Sequence, residues 1–276
     1  MRLGLLQLTA TDDPEANLSH IIRHLDVAVT QGAEFVLTPE VSNCLSFNRA
    51  HQKTVLRPEA RDPTLAALTA KAAEHGIWLL IGSLALRTAD PEGRLANRSF
   101  LIDPAGRITA RYDKIHMFDV TVSETETFRE SAGYRPGTRA TLAETAWGKV
   151  GMSICYDLRF PTLYRRLAQA GASFLTVPAA FTATTGAAHW EVLLRARAIE
   201  TGSFVIAPGQ TGQHQVTEEQ VLRTHGHSMV VAPWGEVLLD AGTEPGAYCV
   251  DIDPTEVART RARIPSVTAE PGWDGP

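Results

Sequence analysis

The sequence predicts an α/β fold built on a mixed sheet, either one such sheet or two with helices outside them. Three observations carry this. Short apolar runs that suit buried strands alternate with longer segments of helical periodicity. Turn clusters at Pro104-Ala105-Gly106 and Pro233-Trp234-Gly235 signal hairpins, which a purely parallel doubly wound sheet would not need. No linker, low-complexity stretch or solenoid-length repeat divides the 276 residues, so residues 1–264 are expected to form one domain, with a tail over 265–276.

The elements follow in order. Arg2 to Leu8 is an apolar run of strand length. Asp13 then offers an N-cap and Pro14 a first helical residue, and Leu18, Ile21, Ile22, Leu25 and Val29 recur at helical spacing up to Gly32. Glu34 to Thr38 is the next strand, closed by Pro39. Asp62-Pro63 opens a helix with Leu65, Leu68 and Ala72 on one face, and Gly76 stops it. Ile77 to Leu86 is a strand, and Asn97 to Asp103 pairs with Arg107 to Tyr112 across the first hairpin turn. Lys149 to Ile154 is a strand, Pro161 to Ala170 a helix ended by Gly171, and Phe174 to Val177 a strand. His189 to Glu200 is a helix and Phe204 to Ala207 a strand. Ser228 to Val231 and Glu236 to Leu239 flank the second hairpin turn, and Gly246 to Ile252 is the last strand. Asp253-Pro254 opens a short final helix, and the Pro- and Gly-rich stretch from Ser266 to Pro276 is expected to be loose.

Composition narrows the function classes. The chain is 44% hydrophobic and 21% charged, which excludes a disordered or collagen-like protein. Its formal net charge of −5 supplies no basic excess, so nucleic acid is not an expected partner, and Trp147, Trp190 and Trp234 suit a core or interface rather than a base-stacking platform. The N-terminal run meets acids by Asp12, too soon for a secretory signal. The most apolar window, Ile77 to Leu86, falls short of the ~20 residues of a membrane helix. Three cysteines, Cys44, Cys155 and Cys249, are too few for a disulfide framework and suit a reducing compartment, so a cytoplasmic protein without a membrane anchor is expected. No GxGxxG follows the first strand and no GxxxxGK[ST] occurs, so no nucleotide cofactor is expected.

Three residues stand at the C-terminal ends of predicted strands, the edge where sites form in open α/β sheets. Cys155 ends KVGMSIC before a helix, a strand-to-helix turn that presents a nucleophile beside backbone N–H groups and favours its thiolate. A buried, inert thiol is the plainer reading of a lone cysteine. Glu40 follows EFVLT, where partial desolvation would raise its pKa toward that of a working base; a solvated loop acid is the plainer reading. Lys114 follows RITARYD and faces either a site or water. Together they would make a base, an oxyanion stabiliser and a nucleophile.

In these residues the chain resembles the nitrilase superfamily of carbon–nitrogen hydrolases. The glutamate motif matches FVLTPE, the lysine motif YDKIHMFDV and the cysteine motif GMSICYDLRFPTLYR, and Glu130 in FRESAGYRPG fits the second family glutamate, which supports the lysine. AAFTATTGAAHWEVLLRARAIE and GHSMVVAPWGEV extend the resemblance, which runs from about Met1 to about Ile264. HMFDV and the run through LLRARAIE are most similar to the branch acting on deaminated glutathione, with omega-amidases as close neighbours. VSNCLSFNR after Glu40 and the run APGQTGQH, with Gly209 where alanine is commoner, depart from the branch and are expected to border the pocket.

The resemblance implies a four-layer αββα sandwich, usually a dimer, acting on a small-molecule amide without a metal or other cofactor. It implies that Cys155 attacks the carbonyl while Glu40 takes its proton. Lys114 and the backbone N–H of Tyr156 hold the oxyanion, and a thioester is then hydrolysed to the acid, with ammonia released. Arg159 would hold a substrate carboxylate, or else pair with Asp157, and Phe181 and Thr185 would line the pocket; Arg165 and Arg166 are expected in solvent. Nitrile and carbamoyl substrates stay open, because the same thiol can add to either carbon. So do a Cys–His acyl hydrolase using His116 or His189 and a catalytically silent dimeric scaffold. His225, His227 and His214 lack a Cys or carboxylate at ligand spacing, which argues against zinc. Cys249 is expected in the core, and Cys44 is expected to touch the pocket without reacting.

Overall fold

A computed structural model describes residues 1–122 and 126–269 of the chain. Its first half runs β1 (Arg2–Gln7), α1 (Pro14–Thr30), β2 (Phe35–Leu37), α2 (Arg49–Val55), α3 (Pro63–His75), β3 (Trp78–Leu86), β4 (Ala96–Ile102) and β5 (Ile108–Asp113). A small hairpin of β6 (Asp119–Thr121) and β7 (Thr127–Arg129) follows. The second half runs β8 (Thr141–Thr145), β9 (Gly148–Met152), α4 (Pro161–Gln169), β10 (Ala172–Thr176), α5 (Ala183–Thr201) and β11 (Phe204–Ala207). It closes with β12 (Thr211–Gln215), β13 (Val221–His225), β14 (Met229–Val231), β15 (Val237–Asp240), β16 (Gly246–Asp251) and α6 (Glu256–Arg263).

Two six-stranded sheets form, in the orders β16-β1-β2-β3-β4-β5 and β15-β14-β11-β10-β9-β8. Each has parallel strands at its centre, β1-β2-β3 and β9-β10-β11, and antiparallel neighbours at its margins. Helices α1, α3, α4 and α5 make the crossovers that parallel pairs require, and the hairpin turns supply the antiparallel edges. Leu5, Phe35 and Leu80 of the first sheet meet Val150, Phe174 and Val205 of the second between the two. Ile21 and Leu25 of α1 and Leu68 of α3 cover the first sheet's outer face through Leu6, Val36 and Leu79. Helices α4 and α5 lie on the second sheet, so the layers read helix, sheet, sheet, helix.

The helix starts are chemical. Asp13 accepts from the amides of Glu15 and Ala16, and Asp62 accepts from Leu65 N at 2.8 Å. Helix α3 ends at Gly76, φ 63°, a left-handed cap that glycine adopts without strain. Helix α5 begins six residues before the predicted His189, because Thr182 caps it and its first turn carries little apolar periodicity. The strands β8, β12 and β13 and the helix α2 have no sequence counterpart above, being short and largely polar. The expected loose tail is corrected at its start. Val267 is buried and its carbonyl accepts from Gln169 Nε2 of α4, while residues 270–276 lie outside the described residues. Trp190 is core and Trp147 stacks on Phe35, whereas Trp234 is exposed under the Arg263 guanidinium. No helix among the described residues is long and apolar enough to cross a membrane.

Candidate active site

Glu40, Lys114 and Cys155 come from three different strand ends and meet in one buried cluster. Strand β2 delivers Glu40 through Thr38-Pro39, which lies tight on β3: a Cβ at Gly82 would stand 1.9 Å from the Thr38 carbonyl oxygen. The Glu40 carboxylate accepts three hydrogen bonds, from Lys114 Nζ and Asn97 Nδ2 on Oε1 and from the Ala180 amide on Oε2, each at 2.8 Å. The next residue, Val41, has φ 44°, a strained conformation for a β-branched side chain, and its amide is held by Ser83 Oγ.

Lys114 leaves β5 with its amide donating to the Asn97 carbonyl at 3.0 Å. Its ammonium is 2% exposed and lies 2.8 Å from Glu40 Oε1 and 2.9 Å from Glu130 Oε2. Glu130 sits in a short 3₁₀ turn after β7, and its Oε2 accepts from Phe118 N at 2.6 Å.

Cys155 follows β9 in a 3₁₀ turn, Cys155–Arg159, that leads into α4. Its φ of 49° is again in the left-handed region, the strained strand-to-helix turn that aims a nucleophile off a sheet. Its own amide is taken by the Pro178 carbonyl at 2.9 Å, whereas the Tyr156 amide stands in the first turn, where intrahelical acceptors are lacking. Asp157 closes the turn by accepting from Ile154 N at 2.8 Å, and it also accepts from Tyr112 OH and from both His116 nitrogens on its side, amide and Nδ1.

The electrostatics reverse two expectations. Burial pushes the Cys155 thiol well above its ordinary value, and the Glu40 charge adds to this, so the amides of the turn do not prevail. Burial alone would also raise Glu40, but the Lys114 charge and the hydrogen bonds from Lys114 and Ala180 outweigh it and hold Glu40 below the usual range. Glu130 is the raised carboxyl, through burial and the Glu40 charge. Burial opposes the charge on Lys114, yet Glu130 and Glu40 keep its pKa well above the ordinary lysine value. The cluster can therefore present a neutral thiol beside an ionised carboxylate and a fixed ammonium.

A cavity of about 350 Å³ opens onto these groups, walled by Phe118, Phe128 and Phe181 and edged by the exposed residues Arg49 and Arg129. Thr185 and Tyr156 also line it, as do Val41 and the run from Cys44 to Phe47. Cys44 is fully buried and burial pushes its thiol up to about 12. Arg159 lies one layer back, over the rings of Phe181 at 5.4 Å and Tyr156 at 6.0 Å, with Nη2 3.2 Å from His189 Nδ1 and no pairing to Asp157. Arg166 is exposed, while Arg165 is half-buried and donates to the Ser266 carbonyl. The run APGQTGQH is packed away from the cavity: Gly209 faces the Gly226 carbonyl, which a Cβ would meet at 2.9 Å. Cys249 is half-buried in β16 rather than core. His214 is buried between the Ala10 carbonyl and Thr224, and His225 stacks on His227, which pairs with Asp240. The described residues hold no group of three metal-binding side chains. Asn97, Asp157 and the Phe118–Phe128 wall carry no signal in the linear sequence; each acts through partners far along the chain.

The carbon-nitrogen hydrolase family matches residues 2–262 of the chain. The chain belongs to that family. This hydrolase is 40% identical over 264 residues to a deaminated glutathione amidase of Synechocystis, covering 95% of each chain. A nitrilase-superfamily member from Saccharomyces cerevisiae has the same fold, with TM-score 0.82 and 26% identity over 96% of this chain and 94% of the other. A glutamate-to-glutamine mutant of an amidase from Nesterenkonia, with TM-score 0.77 and 27% identity over 96% and 98% of the two chains, carries acrylamide added at its active-site cysteine. The hydrolase therefore acts on non-peptide carbon–nitrogen bonds.

Proposed function

We propose that this hydrolase is an amidase that uses Cys155 as nucleophile on a small amide of the deaminated-glutathione or keto-acid omega-amide type. The observation that carries the reading is the meeting of Glu40, Lys114 and Cys155 at one cavity. Glu40 takes the thiol proton as sulfur attacks the carbonyl carbon, and the oxyanion is held by Lys114 and the Tyr156 amide. The C–N bond breaks as Glu40 returns the proton to the leaving nitrogen, leaving a thioester. Glu40 then deprotonates a water that attacks the thioester, and the thiol and the acid are released. Glu130 keeps Lys114 charged and in place. The leaving group is ammonia for a primary carboxamide and an amine for a substituted one such as deaminated glutathione, so ammonia alone is too narrow a product.

A thiol nucleophile fits a reducing, cytoplasmic setting. The exposed side chains of Ile199 on α5, which lies against Gly235, and of Trp234 in the same β14–β15 turn support self-association as a homodimer. Light scattering checks the assembly. The chemistry is tested by offering deaminated glutathione, α-ketoglutaramate, a carbamoyl amino acid and a nitrile, and reading both ammonia and new amine. Turnover of the first or second is expected, and near-wild-type turnover by Cys155→Ala would overturn the reading. Turnover confined to the carbamoyl compound or the nitrile would move the chain to another branch.

A further inference from the structure

Asn97 touches every charged member of the buried cluster. It is the second residue of β4 and is 2% exposed. Its carbonyl accepts the Lys114 amide at 3.0 Å, its Nδ2 donates to Glu40 Oε1 at 2.8 Å, and the same nitrogen reaches Glu130 Oε1 at 3.4 Å. Its Oδ1 is buried without a partner. Turning the amide over would set that oxygen against two carboxylate oxygens, so electrostatics fixes the orientation found. A buried acceptor left unpaired weakens a fold, and here it is the consequence of aiming the N–H groups at the acids.

The arrangement also distinguishes the two oxygens of Glu40. An ionised carboxylate oxygen has about two acceptor positions. On Oε1 both are taken, by Lys114 and Asn97; on Oε2 one is taken, by Ala180. Oε2 is left to receive a proton.

We propose that Asn97 is a positioning residue that pins Glu40 through Oε1, leaves Oε2 as the proton acceptor for Cys155, and favours the ionised form of Glu40. The inference rests on the amidase reading above. The titratable groups that also bear on Glu40 are Lys114, Glu130, Cys155 and Tyr134. Lys114 favours its charge, as does a hydrogen bond from the Cys155 thiol, while Glu130 opposes it; Asn97 adds a further neutral donor on the Lys114 side of Oε1.

The test is the pH dependence of Cys155 alkylation by iodoacetamide, followed by peptide mapping, in the wild type, Asn97→Leu and the isosteric Asn97→Asp. This reads the proton affinity of Glu40 without a substrate. The acid limb is expected to move up by about one pH unit in both variants. On whichever amide the wild type hydrolyses, kcat is expected to fall about 10–100-fold with KM changed less than about threefold. Near-ultraviolet circular dichroism checks folding, and Asn97→Asp carries the test if Asn97→Leu does not fold. An unmoved acid limb, or a loss confined to KM, overturns the proposal while leaving the amidase reading intact. A wild type in which Cys155 does not react overturns both.

Discussion

The Lys114 ammonium and the Glu40 carboxylate meet at 2.8 Å with 2% and 5% of their side chains exposed. Removing two charges from water costs several kcal/mol each, and the attraction repays this only when the remaining donors and acceptors are also met. Here Asn97, Ala180, Glu130 and Phe118 meet them. Deleting one partner therefore does more than remove a contact. Lys114→Leu would leave Glu40 and Glu130 facing each other in a dry site, and a loss of ~3–5 kcal/mol in unfolding free energy is expected. Adding Glu130→Gln to that variant should restore part of the stability and none of the activity. Urea titration of the single and double variants measures this, and an unchanged midpoint in Lys114→Leu would show the pair to be energetically idle.

Because Cys155 is pushed up and Glu40 held down, proton transfer within the pair, not a standing thiolate, must generate the nucleophile. Thiolate absorbance near 240 nm should therefore be missing for Cys155 through neutral pH. Activity should persist on the acid side to below the ordinary glutamate value of 4.5. The linked stabilities run in opposite directions. Glu40, lowered on folding, contributes stability that is complete above its unfolded value and lost as pH falls through its folded one. Glu130, raised on folding, contributes most below its unfolded value, and the contribution fades as pH rises through its folded one. Glu40→Gln should cost about 10²–10⁴ in kcat with the thiol still neutral. A thiolate signal at pH 7 in the wild type would contradict this account.

The strand ends that carry Glu40 and Cys155 were legible in the sequence because buried strands announce themselves as apolar runs, whereas the half-exposed strand before Lys114 was legible through the hairpin turn that opens it. The environments were not. Lys114 stands 74 positions from Glu40, and the Ala180 amide 140 positions away, so reading Glu40 as a desolvated acid and Cys155 as a turn thiol gave both shifts the wrong sign. The cavity wall was hidden for a different reason. Phe118 and Phe128 belong to or flank a hairpin of three-residue strands, too short for any period to register. Arg159 shows the limit of local reading: its neighbour in sequence, Asp157, is spoken for by Tyr112 and His116.

Arg49 and Arg129 are the guanidinium groups that edge the cavity, and the hydrogen bonds of both go to neutral acceptors. An amide bearing a remote carboxylate should therefore bind better than its neutral ester. Arg129→Ala should raise KM for the acid about three- to tenfold and leave the ester unchanged, and added salt should narrow the difference between acid and ester. Steady-state kinetics on such an acid and ester pair decides it. Equal effects on both would assign Arg129 to packing alone, and a selective effect from Arg159→Ala instead would move anion recognition to the layer behind Phe181.

Asp157 holds the nucleophile's turn. Its fully buried carboxylate accepts from Ile154 N on one side of Cys155 and from His116 N and Nδ1 two residues beyond Lys114, with Tyr112 OH as a further donor at 2.7 Å. One side chain thus ties the Cys155 turn to the strand end that carries Lys114, and holds Cys155 in its left-handed conformation. Asp157→Ala would leave several buried donors unmet at once, at a cost of ~1–3 kcal/mol for each that finds no water. The expected outcome is a loss of ~3–5 kcal/mol in stability together with slower alkylation of Cys155, since the turn can relax toward ordinary backbone angles. Asp157→Asn keeps the shape but exchanges an acceptor for a donor that faces other donors, so it should recover little. Urea unfolding and iodoacetamide kinetics measured on the same preparations separate the two effects. A variant that is destabilised yet alkylated at the wild-type rate would show that the turn keeps its geometry without Asp157.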